Sequence, residues 1–232
     1  MIADNVRILK ERIEKKCAEI KRHPSELKIV AVSKFFDTSA IKEAFNAGIT
    51  DFGENKAQEL KSKYEILGDS VNWHFVGTLQ KNKAKYVVKA ASLIHSVDSA
   101  SLAAEINKRA GQAGKIQNIL IEYKTSYEQS KAGVSDRNEL FKLVDFCSEL
   151  ENVRLKGLMT IAPFTDDSEL IRNAFRELRE LKNMLNENGF PLTELSMGMT
   201  GDFEIAIEEG ATILRIGTAI FGQRVYSKDR KE

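Results

Sequence analysis

Short runs rich in Val, Ile and Phe alternate with longer, charged amphipathic segments along almost the whole 232-residue chain. This alternation is typical of strands buried in a parallel sheet beneath covering helices. It predicts eight strands, at 27–33, 50–54, 72–77, 93–97, 117–123, 153–159, 194–198 and 212–217. It also predicts seven helices in the intervals between them, at 38–47, 55–66, 80–90, 99–112, 136–149, 168–187 and 202–209.

Eight such units in a chain of this length favour an α/β fold of one particular kind, the closed (β/α)8 TIM barrel. The alternative, an open doubly wound sheet, needs about two fewer strands. An extra N-terminal helix is predicted within the first twenty residues, where apolar positions recur in steps of three and four. With three prolines and no Gly/Ser-rich linker, residues 1–232 are predicted to form a single domain.

The charge balance excludes a strong general attraction to nucleic acid or to an anionic membrane, because 35 basic and 34 acidic residues leave a formal charge of +1. No apolar run approaches the length of a membrane span. The charges of the first twenty residues also argue against a secretory signal. Cys17 and Cys147 fall in helix-like stretches and are predicted to be buried apolar side chains in a reducing compartment. We therefore expect a soluble, cytoplasmic protein.

Two features that sometimes indicate a ligand remain weak here. His23, His74 and His95 are scattered and lack the spacing of a metal site, so none is expected. The basic cluster KNKAKYVVK places Lys81–Lys89 on one helical face. A solvated barrel helix is the favoured interpretation of that face, and an RNA or acidic-protein surface is the alternative.

Because the chemistry of such a barrel occurs where strands end, the residues at the strand ends carry the functional argument. Lys34 comes directly after the apolar run IVAV of the first strand. Partial desolvation favours the neutral amine of a lysine, which attacks aldehydes to form a Schiff base. The alternative is a lysine that only extends from a strand end into water. By this criterion Lys124, which ends the run IEYK, competes equally.

The last two strands end in segments suited to a phosphate. LSMGMTGDFE leads through a glycine-containing turn with Thr200 into a helix, and ILRIGTAIFG contains Gly217 and Thr218. Backbone N–H groups and hydroxyls of this kind bind anions, and the loops after strands seven and eight are the frequent phosphate site of this barrel. The alternative is ordinary turns, with Thr200 and Asp202 as helix caps.

Three further side chains near the strand ends have open interpretations. Arg215 lies between Leu214 and Ile216, where it either serves a ligand or forms a salt bridge inside the barrel. Asn55 and His74 either line the same mouth or are a helix cap and a hydrogen-bonded core histidine, respectively.

Taken together, these residues resemble a known family. The segments that carry this resemblance are AVSK, FGEN, WHFVGTLQKNK, LKGLMTI and LSMGMTGDFEIAIEEGATILRIGTAIFG. Through them the chain closely resembles the pyridoxal 5′-phosphate (PLP) homeostasis proteins, which are similar to a free-standing alanine racemase N-terminal barrel.

The resemblance implies a role for each matching residue. Lys34 would bind PLP as a Schiff base, Thr200, Gly217 and Thr218 would hold the 5′-phosphate, and Arg215 would face the pyridine nitrogen. Asn55, His74 and Met199 would lie around the ring.

The implied function is intracellular PLP homeostasis and delivery without strong catalysis, by a monomer that serves PLP-dependent apoenzymes. An arginine beside the ring nitrogen disfavours the pyridinium that makes PLP an effective electron sink. The alternative is a small PLP-dependent amino-acid racemase. Such an enzyme needs acid/base groups on both faces of the substrate, and of the five tyrosines only Tyr123 lies near a strand end. A third hypothesis is an interaction module that uses the Lys81–Lys89 face.

Overall fold

The computed structural model describes residues 1–125 and 132–223, and in this part of the chain eight parallel strands form a closed barrel. The strands are β1 (Lys28–Val32), β2 (Asp51–Glu54), β3 (Asn72–Phe75), β4 (Leu93–Val97), β5 (Gln117–Glu122), β6 (Val153–Met159), β7 (Glu194–Ser196) and β8 (Ile213–Ile216). Neighbours in the barrel are neighbours in sequence, and β8 closes it by pairing with β1, with Arg215 opposite Val30. The predicted (β/α)8 barrel is confirmed.

Helices cover the outside of the barrel. They are α1 (Ile2–Glu19), α2 (Thr38–Asn46), α3 (Ala57–Leu67), α4 (Ala84–Ala90), α5 (Ala100–Gln112), α6 (Arg137–Ser148), α7 (Ser168–Glu187), α8 (Phe203–Glu208) and α9 (Thr218–Phe221). The predicted helix 80–90 begins only at Ala84, because Lys81–Lys83 form a 3-10 turn. The four-residue α9 is too short to show a sequence period and was not predicted.

The outer layer of the core forms between the strands and the helices. Helix α7 shows how the sequence produces this layer: Asp167 accepts the backbone N–H groups of Glu169 and Leu170 and so caps the helix start. One stripe of the helix is then buried, comprising Ile171, Ala174, Phe175, Leu178, Leu181 and Leu185. Each large side chain of this kind contributes about 1.5–3 kcal/mol when fully buried.

The N-terminal helix closes the outer ring. Val6, Leu9, Ile13 and Cys17 form its buried stripe, and the helix contacts α2, α8 and α9. Helix α2 belongs to the first unit of the barrel, and α8 and α9 belong to the last two units, so α1 covers the junction between the first and last helices of the ring. Cys17 is therefore part of a packed face, as predicted.

Burial also keeps the second cysteine unreactive. Cys147 is 1% exposed, and burial raises the pKa of its thiol to about 12. Among the helices of the described ranges, none has the length and apolar character that crossing a bilayer requires.

The interior of the barrel is unusual because apolar and polar side chains share it. The apolar ones form a small cluster of Val30, Leu93, Leu120, Met159 and Ile213. The polar ones include Asp51, His74, His95, Ser196 and Arg215, all at most 6% exposed. A barrel interior is normally packed with branched apolar residues, so this polar group requires partners of its own.

Replacing Phe175 with Ala should show how strongly α7 contributes to the fold. Phe175 is fully buried, and removing such a side chain costs about 3–5 kcal/mol. The matched control on the same helix is Leu170→Ala, since Leu170 is 52% exposed and its loss should change stability by less than about 0.5 kcal/mol. Urea unfolding of both variants measures the difference, and equal midpoints would contradict this packing.

Candidate functional site

A cavity of about 520 Å³ lies at the carboxyl ends of the strands. Seven of the eight predicted site residues line it: Lys34, Asn55, Met199, Thr200, Arg215, Gly217 and Thr218. Apolar walls are provided by Val32, Val76 and Ile161. The carboxyl ends of barrel strands are where such folds carry their chemistry, so this cavity is the candidate site.

Lys34 lies in the turn directly after β1 and is half-buried at the cavity wall. Within the described ranges, its ammonium group forms no hydrogen bond or salt bridge with protein. Lys124, which the sequence could not distinguish from it, is absent from the cavity lining. The structure therefore leaves one of the two candidate lysines at the site.

A buried ionic cluster holds the turn that carries Lys34. The Lys63 ammonium donates to Ser33 O at 2.8 Å, to Glu54 Oε1 at 2.7 Å and to Glu59 Oε1 at 2.8 Å. Ser33 Oγ donates to Glu54 Oε1 at 2.6 Å, and the backbone N–H of Phe35 donates to Glu59 at 2.6 Å. Removing one partner of such a buried pair costs about 3–5 kcal/mol.

The cluster supports both the strained backbone of the turn and the buried carboxyl of Glu54. Phe35 adopts a φ of 71°, a conformation that needs support from its surroundings. Burial raises the pKa of Glu54 while Lys63 opposes the change, so the carboxyl depends on that lysine. The sequence analysis missed Lys63 and Glu54, because a lysine in a helix normally faces water.

The loops that follow β7 and β8 bring hydrogen-bond donors to the cavity. In the described part of the chain, no acceptor receives the backbone N–H of Thr200, Gly201 or Thr218. Thr200 Oγ1 accepts the N–H of Ala219 at 3.2 Å, which leaves its own hydroxyl proton available. With the Thr218 hydroxyl, these groups form a corner suited to a multivalent anion.

The turn before this corner requires glycine. Gly198 has a φ of 94°, and a Cβ there would lie 2.6 Å from the Ala206 side chain. The helix-cap alternative holds only in part. Asp202 occupies the N-cap position of α8, but its side chain accepts the N–H of Met199 and none from the helix. Thr200 Oγ1 accepts the N–H of Ala219 in the first turn of α9, so it does not cap α8.

Arg215 lies beneath the cavity mouth and is 5% exposed. Its Nη1 donates to Ser196 Oγ at 2.7 Å and its Nη2 to Thr160 O at 2.8 Å. No carboxylate of the described residues lies within salt-bridge distance of it, so the alternative of a salt bridge is not what the structure shows. Burial lowers its pKa to about 10, and the group is a cation at neutral pH.

Asn55 reaches the cavity from the end of β2. Its Oδ1 is buried and has no partner, so a ligand donor could pair with it. The N-cap of α3 is Lys56, which removes the helix-cap interpretation of Asn55. Gly77 permits this arrangement, because a Cβ there would lie 2.3 Å from Asn55 O.

His74 is the exception among the predicted residues, since it does not line the cavity. It is 1% exposed, with Nε2 at 2.9 Å from Asp51 and Nδ1 at 2.9 Å from His95. On the same face of the chain, Val76 comes two residues later and does reach the cavity. His74 therefore lies one layer too deep, and the alternative of a hydrogen-bonded core histidine is correct.

The sequence analysis also missed a carboxyl in the cavity wall. Glu122 ends β5 and is 7% exposed. Burial raises its pKa from 4.5 to about 7, although Arg215 lowers it. Its position before Lys124 at a strand end was the available signal.

These observations define a TIM barrel whose mouth brings an unpaired lysine, a buried arginine cation and an anion corner into one cavity. The sequence model of the alanine racemase N-terminal domain matches residues 2–225. The chain is 46% identical over 218 residues to the pyridoxal phosphate homeostasis protein of Aquifex aeolicus, covering 93% of this chain and 95% of that protein. Its counterpart in Vibrio alginolyticus is 40% identical, with 92% of both chains covered. The chain belongs to the alanine racemase N-terminal domain family, and within it to the pyridoxal phosphate homeostasis proteins.

Solved structures agree with this assignment. PipY of Synechococcus elongatus PCC7942, solved with PLP bound, superposes with a TM-score of 0.80 at 36% identity, covering 90% of this chain and 100% of that one. A protein of unknown function from Bifidobacterium adolescentis gives 0.90 at 34% identity, with 94% of both chains covered. Diaminopimelate decarboxylase of M. jannaschi, at 16% identity and a TM-score of 0.76, covers 94% of this chain and 60% of that one. That likeness shows the shared fold alone.

Glu122 should make the stability of the protein depend on pH. Its carboxyl binds a proton more tightly in the folded state, so the contribution of this group to stability is greatest below about pH 4.5, declines as pH rises to about 7 and then levels off. The whole decline from this group is about 3 kcal/mol. Glu122→Gln should remove that component from unfolding curves measured across this range. The exposed control Glu151→Gln should keep the wild-type profile, and an unchanged profile in the Glu122 variant would contradict the assignment.

Proposed function

We propose that the chain binds PLP in this cavity through a Schiff base with Lys34 and takes part in intracellular PLP homeostasis. The observation that carries the proposal is that an unpaired lysine ammonium and an unsatisfied set of backbone N–H donors line one cavity of about 520 Å³. These are the two groups that an aldehyde bearing a phosphate requires. The names of the relatives and the PLP bound to PipY support the choice of ligand.

Different residues would contact different parts of PLP. Thr200, Gly217 and Thr218 hold the phosphate with their N–H and hydroxyl groups, while the Lys34 amine holds the aldehyde carbon. Asn55, Met199 and Arg215 surround the ring, and the apolar walls exclude water from its faces. When bound, PLP supplies a conjugated ring that withdraws electrons from an attached amine. His74 has no part in this contact set, because it lies below the cavity.

The cavity favours binding over strong catalysis. Arg215 is a cation held by two hydrogen bonds, and a cation beside a ring nitrogen disfavours its protonation. No tyrosine among the described residues lines the cavity. Tyr123 is 3% exposed and packs in the outer core, while Tyr127 and Tyr226 lie outside the described residues. The chain acts as a monomeric carrier that delivers PLP to PLP-dependent apoenzymes.

One observation favours the second candidate, a small PLP-dependent amino-acid racemase. Glu122 places a carboxyl with a pKa of about 7 in the same cavity as Lys34. Groups with such pKa values transfer protons efficiently near neutral pH. Two proton-transfer groups at one site are the minimum that racemisation needs.

The interaction module on the Lys81–Lys89 face remains a prediction. Lys81, Lys85 and Lys89 are exposed on the outer ring, and none of them lines the cavity. No contact in the structure favours this function over a solvated surface.

Replacing Lys34 with Ala should abolish the covalent bond to PLP, because this variant lacks the only amine in the described cavity lining. Borohydride reduction followed by peptide mass mapping measures the result: the wild type should carry one reduced adduct, on the Lys34 peptide. Lys124→Ala is the matched control and should keep that adduct. An adduct that persists in Lys34→Ala, or one spread over surface lysines, would overturn the assignment.

Exchange of the α-hydrogen of amino acids in deuterated water separates carrier from racemase. The carrier predicts exchange far below the median enzyme turnover of about 10 s⁻¹ for every amino acid in a panel. The racemase predicts exchange near that rate for at least one amino acid, with loss of exchange in Glu122→Gln. Turnover of that size in the wild type would refute the carrier proposal.

A further inference from the structure

A continuous chain of hydrogen bonds crosses the barrel interior from Arg215 to Asp51. Arg215 Nη1 lies 2.7 Å from Ser196 Oγ, and that oxygen lies 2.8 Å from His95 Nδ1. His95 Nε2 lies 2.9 Å from His74 Nδ1, and His74 Nε2 lies 2.9 Å from Asp51 Oδ1. The five residues come from β8, β7, β4, β3 and β2, so the chain links five of the eight strands.

The Asp51 end of this hydrogen-bond chain fixes the direction of its bonds. The Asp51 carboxylate only accepts, so the neutral His74 ring carries its proton on Nε2 and accepts on Nδ1 from the Nε2–H of His95. The neutral His95 ring then accepts on Nδ1 from the Ser196 hydroxyl, whose oxygen accepts from Arg215 Nη1. All four bonds therefore donate toward Asp51.

The charge states of the members agree with this direction. Burial lowers the pKa of His74, and it lowers the pKa of His95 well below its ordinary value. Although burial opposes ionisation of Asp51, hydrogen bonds from His74 and Thr50 keep the pKa of this carboxyl below its ordinary value. Two neutral histidines thus lie between a cation and an anion.

The other charged groups that face the chain do not disturb this pattern. From β1, the Lys28 ammonium lies 3.9 Å from Asp51 Oδ1 and favours the anion. From β7, Glu194 acts on His74 at longer range and accepts its close hydrogen bond from Thr212. Asp202 and Glu122 act on Arg215 electrostatically and stabilise its charge.

We propose that Ser196, His95, His74 and Asp51 form a polarised positioning chain that fixes the Arg215 guanidinium at the floor of the cavity. The chain joins Arg215 to a carboxylate at the opposite mouth, where Asp51 lines a second cavity of about 500 Å³. Bonds that donate in one direction polarise and strengthen each other. Arg215 thereby gains an anionic counterpart, while no carboxylate of residues 1–125 and 132–223 hydrogen-bonds to the guanidinium.

This positioning role goes beyond the proposed function. Only its expected effect on PLP binding rests on that function. None of the four residues lines the cavity that contains Lys34. They act through the orientation of Arg215. They are positioning residues, and their loss should alter the environment of a bound ring without removing any group that touches it.

The direction of the bonds can be tested in the protein without cofactor. The chain has three histidines, so ¹⁵N NMR of the imidazoles, with His23→Gln to assign the third, resolves His74 and His95. Both should show the Nε2–H tautomer and stay neutral from about pH 7 to about pH 8. An Nδ1–H tautomer at either residue, or a charged ring in this range, would overturn the proposal.

The positioning role is tested by removing one link and restoring it. Ser196→Ala deprives Arg215 Nη1 of its acceptor and should weaken PLP binding about tenfold, as loss of a hydrogen bond to a charged group does. It should also shift the absorbance maximum of the bound cofactor. Ser196→Thr keeps the hydroxyl and should restore both readouts to within about twofold of the wild type. Gln117→Met, a buried polar change outside the chain, should leave both unaltered.

The remaining outcomes also decide the proposal. Wild-type affinity and spectrum in Ser196→Ala would overturn the positioning role. If Ser196→Ala does not fold, Asp51→Asn replaces it, because this variant keeps the shape of the far end and removes only its charge; it should weaken binding about threefold. Absence of PLP binding by the wild type would refute the proposed function instead. The histidine tautomers would still decide whether the hydrogen bonds run in the proposed direction.

Discussion

The burial of the Arg215 cation inside a closed barrel is the constraint on which the rest of the interior depends. A guanidinium removed from water is costly unless its donors are bonded and its charge is balanced. Its donors go to Ser196 and Thr160, and its balance comes from carboxylates that do not touch it. A barrel of eight short strands would otherwise fill with branched apolar residues. The polar interior is thus a consequence of placing one cation below the mouth.

A second charged cluster supports the part of the cavity wall that follows β1. Lys63 donates to a backbone carbonyl and two carboxylates beneath the turn of Lys34. This cluster fixes the backbone of the turn, whereas the Lys34 side chain itself remains unpaired. The site therefore combines rigid support with an unbonded amine, which is the arrangement that preorganisation of a binding site requires.

The sequence predicts the barrel well because strand and helix periods repeat eight times, and errors at single ends do not change the topology. The site is harder. A lysine after an apolar run could be Lys34 or Lys124, and only the three-dimensional ring decides which reaches the cavity. The depth of a side chain in the barrel is equally hard to predict from sequence. His74 and Val76 are two residues apart on the same face, yet His74 lies in the core and Val76 lines the cavity. Lys63 was unpredictable because two of its three partners, Ser33 and Glu54, lie outside its helix.

The geometry of Arg215 also bears on why a racemase-like barrel could serve as a carrier. A base beside the ring nitrogen of PLP that can share a proton allows the ring to accept electrons fully, whereas a fixed cation does not. A chain of neutral histidines that ends in a distant carboxylate stabilises that cation. The only carboxyl of the described cavity lining, Glu122, lies on the wall and is half-protonated near neutral pH. Under the proposed function, the barrel thus keeps the features that bind an aldehyde phosphate while weakening the one that drives carbanion chemistry.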